Sequence, residues 1–398
     1  MLKSEKGIHR KAIQRAAETG VAAESIDSRL KEIPVELDAY DTLKFLGAQL
    51  CRPATDRLRE DVSTVVRVGE MEFDSPLIIP MDYPGIDLSE KGRAALYDAM
   101  AKQAAAGMKY AVLAELIPKE YFLRRSFKFI LDLSSTIARQ SDDQLSPEQI
   151  GQLKHADSVL IRYGSYNFLS FLGEVRRHID PLAPLMALVG DHDNNYDSIP
   201  YVLNHGIDAV VVDISGTLLE QLRKICDSKR KFADYFGSRK KYVDRQLIFT
   251  HGPNDEGKVM KAIAMGATTA HGCVFYVPAL IAYSLQDAER AEGQQYSVEE
   301  ISDAVSNYMR ETHGQLISLA AAIGGENIFD ISDDDLRTSD PRTSIATRIK
   351  MEGIEKSWFQ YHYDIMLKAF GQRGVDISTI PQDVLVEMAY QLVPKGDI

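Results

Sequence analysis

Between residues 76 and 275 the chain alternates short, almost wholly apolar runs with longer segments in which apolar residues recur every three to four positions. The runs are PLIIPM (76–81), KYAVLAE (109–115), FKFILDL (127–133), SVLIRYG (158–164), PLMALVG (184–190), DAVVVDIS (208–215), QLIFTHG (246–252) and TTAHGCVF (268–275). Runs rich in Val, Ile and Leu on both faces predict parallel strands covered on both sides. Separators such as GRAALYDAMAKQAAAG, SIPYVLNHG and GKVMKAIAMG carry helical periodicity. Eight strands alternating with helices predict an α/β fold, a (β/α)8 TIM barrel over residues 75–295. A doubly wound sheet also alternates, but usually with about five to seven strands. The third run departs most from the pattern, because Lys128 and Asp132 interrupt it.

The flanks follow other rhythms. Residues 1–74 form an N-terminal extension expected to pack on the barrel. Roughly the first 60 residues are helical in pattern, with Leu43, Phe45, Leu46 and Leu50 as packing positions, and DVSTVVRVGEMEF is a short β-rich piece. Residues 296–398 form a C-terminal helical extension containing SVEEISDAVSNYMRETHGQLISLAAAIG and EKSWFQYHYDIMLKAFG. Between them, Asp333, Asp334 and Asp335 read as a solvated loop or helix cap rather than a cation site. Trp358, Tyr361 and Tyr363 suit packing, with a subunit contact, and so a homo-oligomer, as the other use.

Composition narrows the classes. The 398 residues are 45% apolar and 26% charged, as in ordinary globular proteins. The formal net charge of −12 disfavours nonspecific nucleic-acid and anionic-membrane partners. No run of 18 apolar residues suggests a membrane span. The opening MLKSEKGIHRKAIQRAAETG lacks the apolar centre of a signal peptide, so a cytoplasmic protein is expected. Cys51, Cys226 and Cys273 lie far apart, which excludes a local cysteine motif for zinc or an iron–sulfur cluster.

Barrel chemistry sits at the C-terminal ends of the strands. That rule selects Met81, Asp82 and Tyr83, then Glu115, Asp132, Arg162 and Tyr163. The later strands add Asp191, His192, Asp193, Asp213, Ser215, His251, His271 and Cys273. His192 and His251 are candidate general acids or bases, since histidine titrates in the useful range. Asp191 and Asp193 also suit helix capping, and Cys273 suits a small packing residue. THGPNDEGKVMKAIAMGA has the shape of a phosphate loop, with Gly252 and Gly257 ahead of a helix, and His271-Gly272 at the next strand end. Asp255 and Glu256 in that loop would repel a phosphate unless they point away.

Several segments, in this order, resemble the FMN-binding barrel domain of the glutamate synthase family. They are AYDTLKFLGAQLCRPATDRLREDVSTVVRVG, SPLIIPMDYPGIDLSEKGRAAL, VMKAIAMGATTAHGCVF and LISLAAAIGGENIFDISDDDLR. The resemblance implies an FMN-dependent oxidoreductase acting on a small, anionic molecule. Met81, Asp82, Arg162, Ser215, Gly252, Asn254, Gly257, His271 and Gly272 would hold the cofactor, and His192, Arg162, His251 and Asp213 would do the chemistry. Arg162 stands where the family has a lysine and would supply a cation to the flavin or to a carboxylate. Asp82 and Tyr83 replace a serine and phenylalanine, Ala187 replaces a lysine near the flavin, and the cluster cysteines are absent. Complete glutamate synthase activity is therefore not expected, and neither is an iron–sulfur cluster. No metal ligands are assigned. Two other uses of the same residues stay open: a non-flavin barrel enzyme doing acid–base or metal-assisted hydrolysis or lyase chemistry with its strand-end Asp and His residues, and a non-catalytic binding protein on the same scaffold.

Overall fold

A computed structural model describes residues 39–46, 62–81, 88–122, 126–134, 145–164, 167–190, 196–236, 246–252, 256–266, 269–272, 278–279, 281–286, 295–374 and 376–393. Its strands are β1 (Leu43–Phe45), β2 (Val66–Val68), β3 (Met71–Phe73), β4 (Ile78–Pro80), β5 (Ala111–Ala114), β6 (Lys128–Asp132), β7 (Ser158–Arg162), β8 (Leu185–Val189), β9 (Ala209–Asp213), β10 (Gln246–Gly252), β11 (Thr269–Gly272) and β12 (Leu336–Thr338). The eight predicted runs are β4 to β11. They form one parallel sheet in sequence order, and β11 returns alongside β4, so the sheet curls into the expected barrel. The interrupted third run is β6. Its Lys128 and Asp132 are the first and last residues of the strand, where a charge can reach solvent.

Successive residues of a strand face opposite sides, and the core divides accordingly. The inward row includes Ile78, Leu113, Ile130, Leu160, Leu188, Val211 and Ile248. The outward row, including Ile79, Val112, Leu131, Ile161, Val189 and Val212, packs under the helices. The β2–β3 hairpin closes the N-terminal end of the barrel. Val66, Val68, Met71 and Phe73 join the inward cluster, and Gln246 Nε2 donates to the Arg67 carbonyl at 2.6 Å. Four apolar side chains of a tight hairpin thus fill the end of the barrel away from the predicted site.

The helices are α1 (Glu90–Ala105), α2 (Lys119–Phe122), α3 (Pro147–Leu153), α4 (Phe168–His178), α5 (Ser198–Asn204), α6 (Leu218–Phe236), α7 (Glu256–Ala264), α8 (Val298–Ile323), α9 (Pro341–Thr347), α10 (Trp358–Gly371) and α11 (Gln382–Gln391). The long α8 starts at a Ser297/Glu300 capping box and ends at Gly324, whose φ of 89° suits glycine. It packs along α1, with Lys102 on Asp303 at 2.7 Å and Gln103 donating to Ser306, and so completes the outer layer after the eighth strand.

The extensions meet each other. Leu43–Phe45, expected to be helical, is instead β1, paired antiparallel with β12. Its burial runs buried, exposed, partly buried, the alternation of a strand. The partner lies almost 300 residues away, so no local periodicity could reveal it. Asp333, Asp334 and Asp335 form a short turn, as expected of a solvated loop. Asp333 pairs with Lys229, Asp334 with Lys350, and Asp335 accepts from the Ser332 N–H. Among the described residues no helix is long and apolar enough to cross a membrane.

Phe73 is 1% exposed within the hairpin plug. Phe73→Ala is expected to lower unfolding stability by about 3–5 kcal/mol, the usual range for emptying a large aromatic site. The control Leu182→Ala, at a side chain 71% exposed, should change it by less than about 0.5 kcal/mol. Urea unfolding of both variants checks the plug; equal effects would refute it.

Candidate functional site at the barrel mouth

The inward rows change character at their C-terminal ends. Along β6 Ile130 is followed two residues on by Asp132, along β7 Leu160 by Arg162, and along β9 Val211 by Asp213. Glu115 continues the row of β5 just past the strand. Apolar layers below and charges above place a polar ring at one end of the barrel, where the charged residues are half-buried rather than fully enclosed.

Arg162 holds the turn after β6. Its Nε donates to the Ser134 carbonyl at 3.0 Å, and the Ser134 N–H donates to Asp132 Oδ1 at 2.8 Å. Burial pushes the Asp132 carboxyl above its ordinary range. The nearby Glu115 carboxylate adds to this, while the Ser134 hydrogen bonds and the Arg162 guanidinium oppose it without cancelling it. The loop after β9 is similarly closed. The Ser215 N–H donates to Asp213 Oδ1 at 2.7 Å, and Lys224 Nζ donates to the Ser215 carbonyl at 2.5 Å. Both backbone groups of Ser215 are therefore engaged inside the loop.

Other predicted residues fall elsewhere or beyond view. The Met81 side chain belongs to the outward cluster, 6% exposed, so only its backbone borders the mouth. Gly252 and Gly272 are paired in the ladder at the ends of β10 and β11, after a register shift, and His251 and His271 precede them in the same strands. Of those two histidines the backbone position alone is described. Gly257 is the second residue of α7. Asp82, Tyr83, Asp191, His192, Asp193, Asn254, Asp255 and Cys273 lie outside the described residues. Among the described residues no three His, Cys, Asp or Glu side chains come together as a cation site.

Glu256, feared as a repulsive charge in the phosphate loop, is 6% exposed and takes a hydrogen bond from Thr312 Oγ1 of α8 at 3.4 Å. It is directed into the helix layer. Tyr196 was missed. Its ring covers Gly190, where an added Cβ would lie 2.7 Å from the ring and where φ is +76°, so only glycine suits the position. The Tyr196 hydroxyl is buried without a partner, and burial, then Asp227 and Asp213, push its pKa up. The sequence signal was a glycine ending one strand and an aromatic opening the next helix, too common a pairing to stand out.

Comparison with solved structures follows this geometry. A mandelate oxidase variant with a monooxide FMN adduct superposes with a TM-score of 0.50 at 14% identity, covering 75% of this chain and 88% of that one. A flavocytochrome b2 variant with sulfite bound gives 0.52 at 12% identity, covering 88% and 87%. A soluble mutant of the membrane-associated (S)-mandelate dehydrogenase from Pseudomonas putida gives 0.50 at 13% identity, covering 83% and 98%. The barrel fold is shared with these proteins. No protein-family model matches the chain, and no curated protein matches it in sequence. The resemblance to glutamate synthases therefore does not stand: the solved structures the chain resembles are a mandelate oxidase, a flavocytochrome b2 and a mandelate dehydrogenase. Two of the segments that carried it cover barrel strand starts, strand ends and a small-residue helix face, which such a barrel itself requires, and the other two lie in the extensions.

Asp132 gives this ring a pH signature. With its pKa raised in the folded state, the carboxyl contributes stability that is fully present below about pH 3.9, its unfolded value, and is lost as pH rises through the folded value. Asp132→Asn is thus expected to be more stable than the parent at pH 7, with the gap closing as pH falls toward 4. Unfolding midpoints across that range test it; a pH-independent gap, or a less stable variant at pH 7, would show that pairing with Arg162 outweighs burial.

Proposed function

We propose that the chain is an FMN-binding oxidoreductase acting on a small carboxylate, of the 2-hydroxy acid class that mandelate represents. The observation that carries this is the charged ring closed over an apolar barrel interior, with Arg162 at its edge, on a fold shared with a mandelate oxidase that holds an FMN adduct. Three features suit the cofactor. Gly252 and Gly272 bring two side-chain-free strand ends together beside the N-terminus of α7, as a phosphate needs. Glu256 is turned away from that loop. Arg162 offers a cation to a flavin ring edge or a substrate carboxylate.

Bound FMN would supply two-electron acceptance from the carbon bearing the substrate hydroxyl. The chain's own part is orientation and proton removal. Arg162, braced by the Ser134 carbonyl, holds the carboxylate by charge-assisted hydrogen bonds. Asp132 and Glu115 keep that guanidinium facing the mouth. His251, at the end of the seventh barrel strand, is assigned as the base that takes the hydroxyl proton. Asp213 orders the loop after β9 through the Ser215 N–H.

Purified protein is expected to carry a visible flavin band, to release FMN on heating, and to be bleached anaerobically by a 2-hydroxy carboxylate but not by its amide. Arg162→Met should raise KM for the carboxylate about ten- to hundredfold, the worth of one charge-assisted interaction. A colourless protein that releases no flavin and does not bind added FMN would sink the proposal.

A further inference from the structure

Away from the mouth, the C-terminal extension holds a cation, Arg348, that no carboxylate among the described residues hydrogen-bonds. Arg348 ends α9 in the left-handed region, φ 64°, a conformation that costs a non-glycine residue free energy. Its guanidinium lies over the Phe359 ring at 3.7 Å. Its Nη1 is buried and has no hydrogen-bond partner among the described residues. The residue as a whole is only partly buried, so an ion can reach it from solvent.

The neighbouring charges make the imbalance larger. Burial lowers the Arg348 pKa first, and Arg230 lowers it further. Asp227 is the carboxylate that bears on Arg348, and it is already used twice. Arg230 donates to it at 2.5 Å and Arg223 approaches it at 3.6 Å. Asp227 is thus paired with two guanidiniums and acts on Arg348 only at longer range, and Glu387 of α11 is the further carboxylate near Tyr390. Tyr390 of α11 bears on Arg348 and Arg223 from the other side. Asp340, also near Tyr390, is committed to the N-terminus of α9, accepting from the Arg342 and Thr343 N–H groups. A buried guanidinium is normally paired, because an unpaired one is costly to desolvate. Planar guanidiniums grouped around a surplus of positive charge suit a dianion that accepts several hydrogen bonds at once.

We propose that Arg348, with Arg230 and Arg223, forms a binding site for a phosphoryl group between α6, α9 and α11, separate from the barrel mouth. Inorganic phosphate and a phosphate monoester share this chemistry. Trp358 is the only tryptophan of the chain and adjoins Phe359, on which Arg348 stacks. Its backbone N–H donates to Ser344 Oγ in the same helix that Arg348 ends. Its fluorescence is therefore a probe placed beside this site.

The test titrates the full chain with inorganic phosphate in one arm and glycerol phosphate in the other, against chloride at matched ionic strength. A saturable change in Trp358 fluorescence is expected with phosphate or the monoester and none with chloride, and the tighter arm identifies the natural form. Arg348→Met removes the charge while leaving an apolar chain of similar length beside Phe359, and should weaken binding at least about tenfold. Arg230→Gln, at a more exposed position, should weaken it severalfold and serves if the first variant does not fold. Without anion, Arg348→Met should be more stable to urea than the parent, and phosphate should narrow that gap. No saturable change in either arm, or identical binding by parent and both variants, would overturn the proposal.

Discussion

Each barrel strand has a single inward row, and in β5, β6, β7 and β9 that row switches from apolar to charged within one step of two residues. The switch governs the rest. Below it, Ile130, Leu160 and Val211 meet the hairpin side chains Val68 and Phe73 in a filled interior, and a close-packed interior cannot accept an unpaired charge. Above it, Asp132, Arg162 and Asp213 occupy the same rows at the opposite end. The polar chemistry is confined to that end because the hairpin seals the other. The location of the site therefore follows from filling the barrel, before any statement about its ligand.

The barrel was legible in the sequence for the same reason. Strands buried on both faces must be apolar at nearly every position, which writes runs such as AVLA and LMALV that no exposed segment would carry. Even β6 conformed, since its charges fall only on its terminal residues. The strand-end rule then picked out Glu115, Asp132, Arg162 and Asp213 without knowledge of contacts. The β1–β12 pairing could not be read this way, because three residues of alternation carry little signal and the register depends on chain almost 300 residues distant. The Arg348 cluster was equally invisible: its charged members come from α6 and the end of α9, far apart in the chain, and only tertiary packing brings Arg348 toward Asp227.

The resemblance to glutamate synthases shows where such reading fails. Its two barrel segments recorded the punctuation of a parallel barrel, with a proline before a strand, a small-residue helix face and a glycine at a strand end. Those features constrain the backbone, and many chemistries share them. The residues that differ from the family, Asp82 and Ala187 among them, carried the chemical information and pointed away from it.

The two charged regions are joined by one helix. α6 begins at the loop ordered by Asp213 and Ser215, and its middle turns carry Arg223, Asp227 and Arg230. Tyr196 stands between them. Its ring is fixed on Gly190 at the end of β8, and its unpartnered hydroxyl is subject to Asp213 on one side and to Asp227 and Arg223 on the other. A charge added at either end acts on the same buried hydroxyl, in surroundings where electrostatic effects are screened less than at the surface. An anion on Arg348 would draw on Arg223 and Arg230, and so change how strongly those two groups hold Asp227. Helix α6 thus runs from the loop that Asp213 orders to the turns that carry Arg223, Asp227 and Arg230, so one rigid element fixes the spacing of the two charged regions.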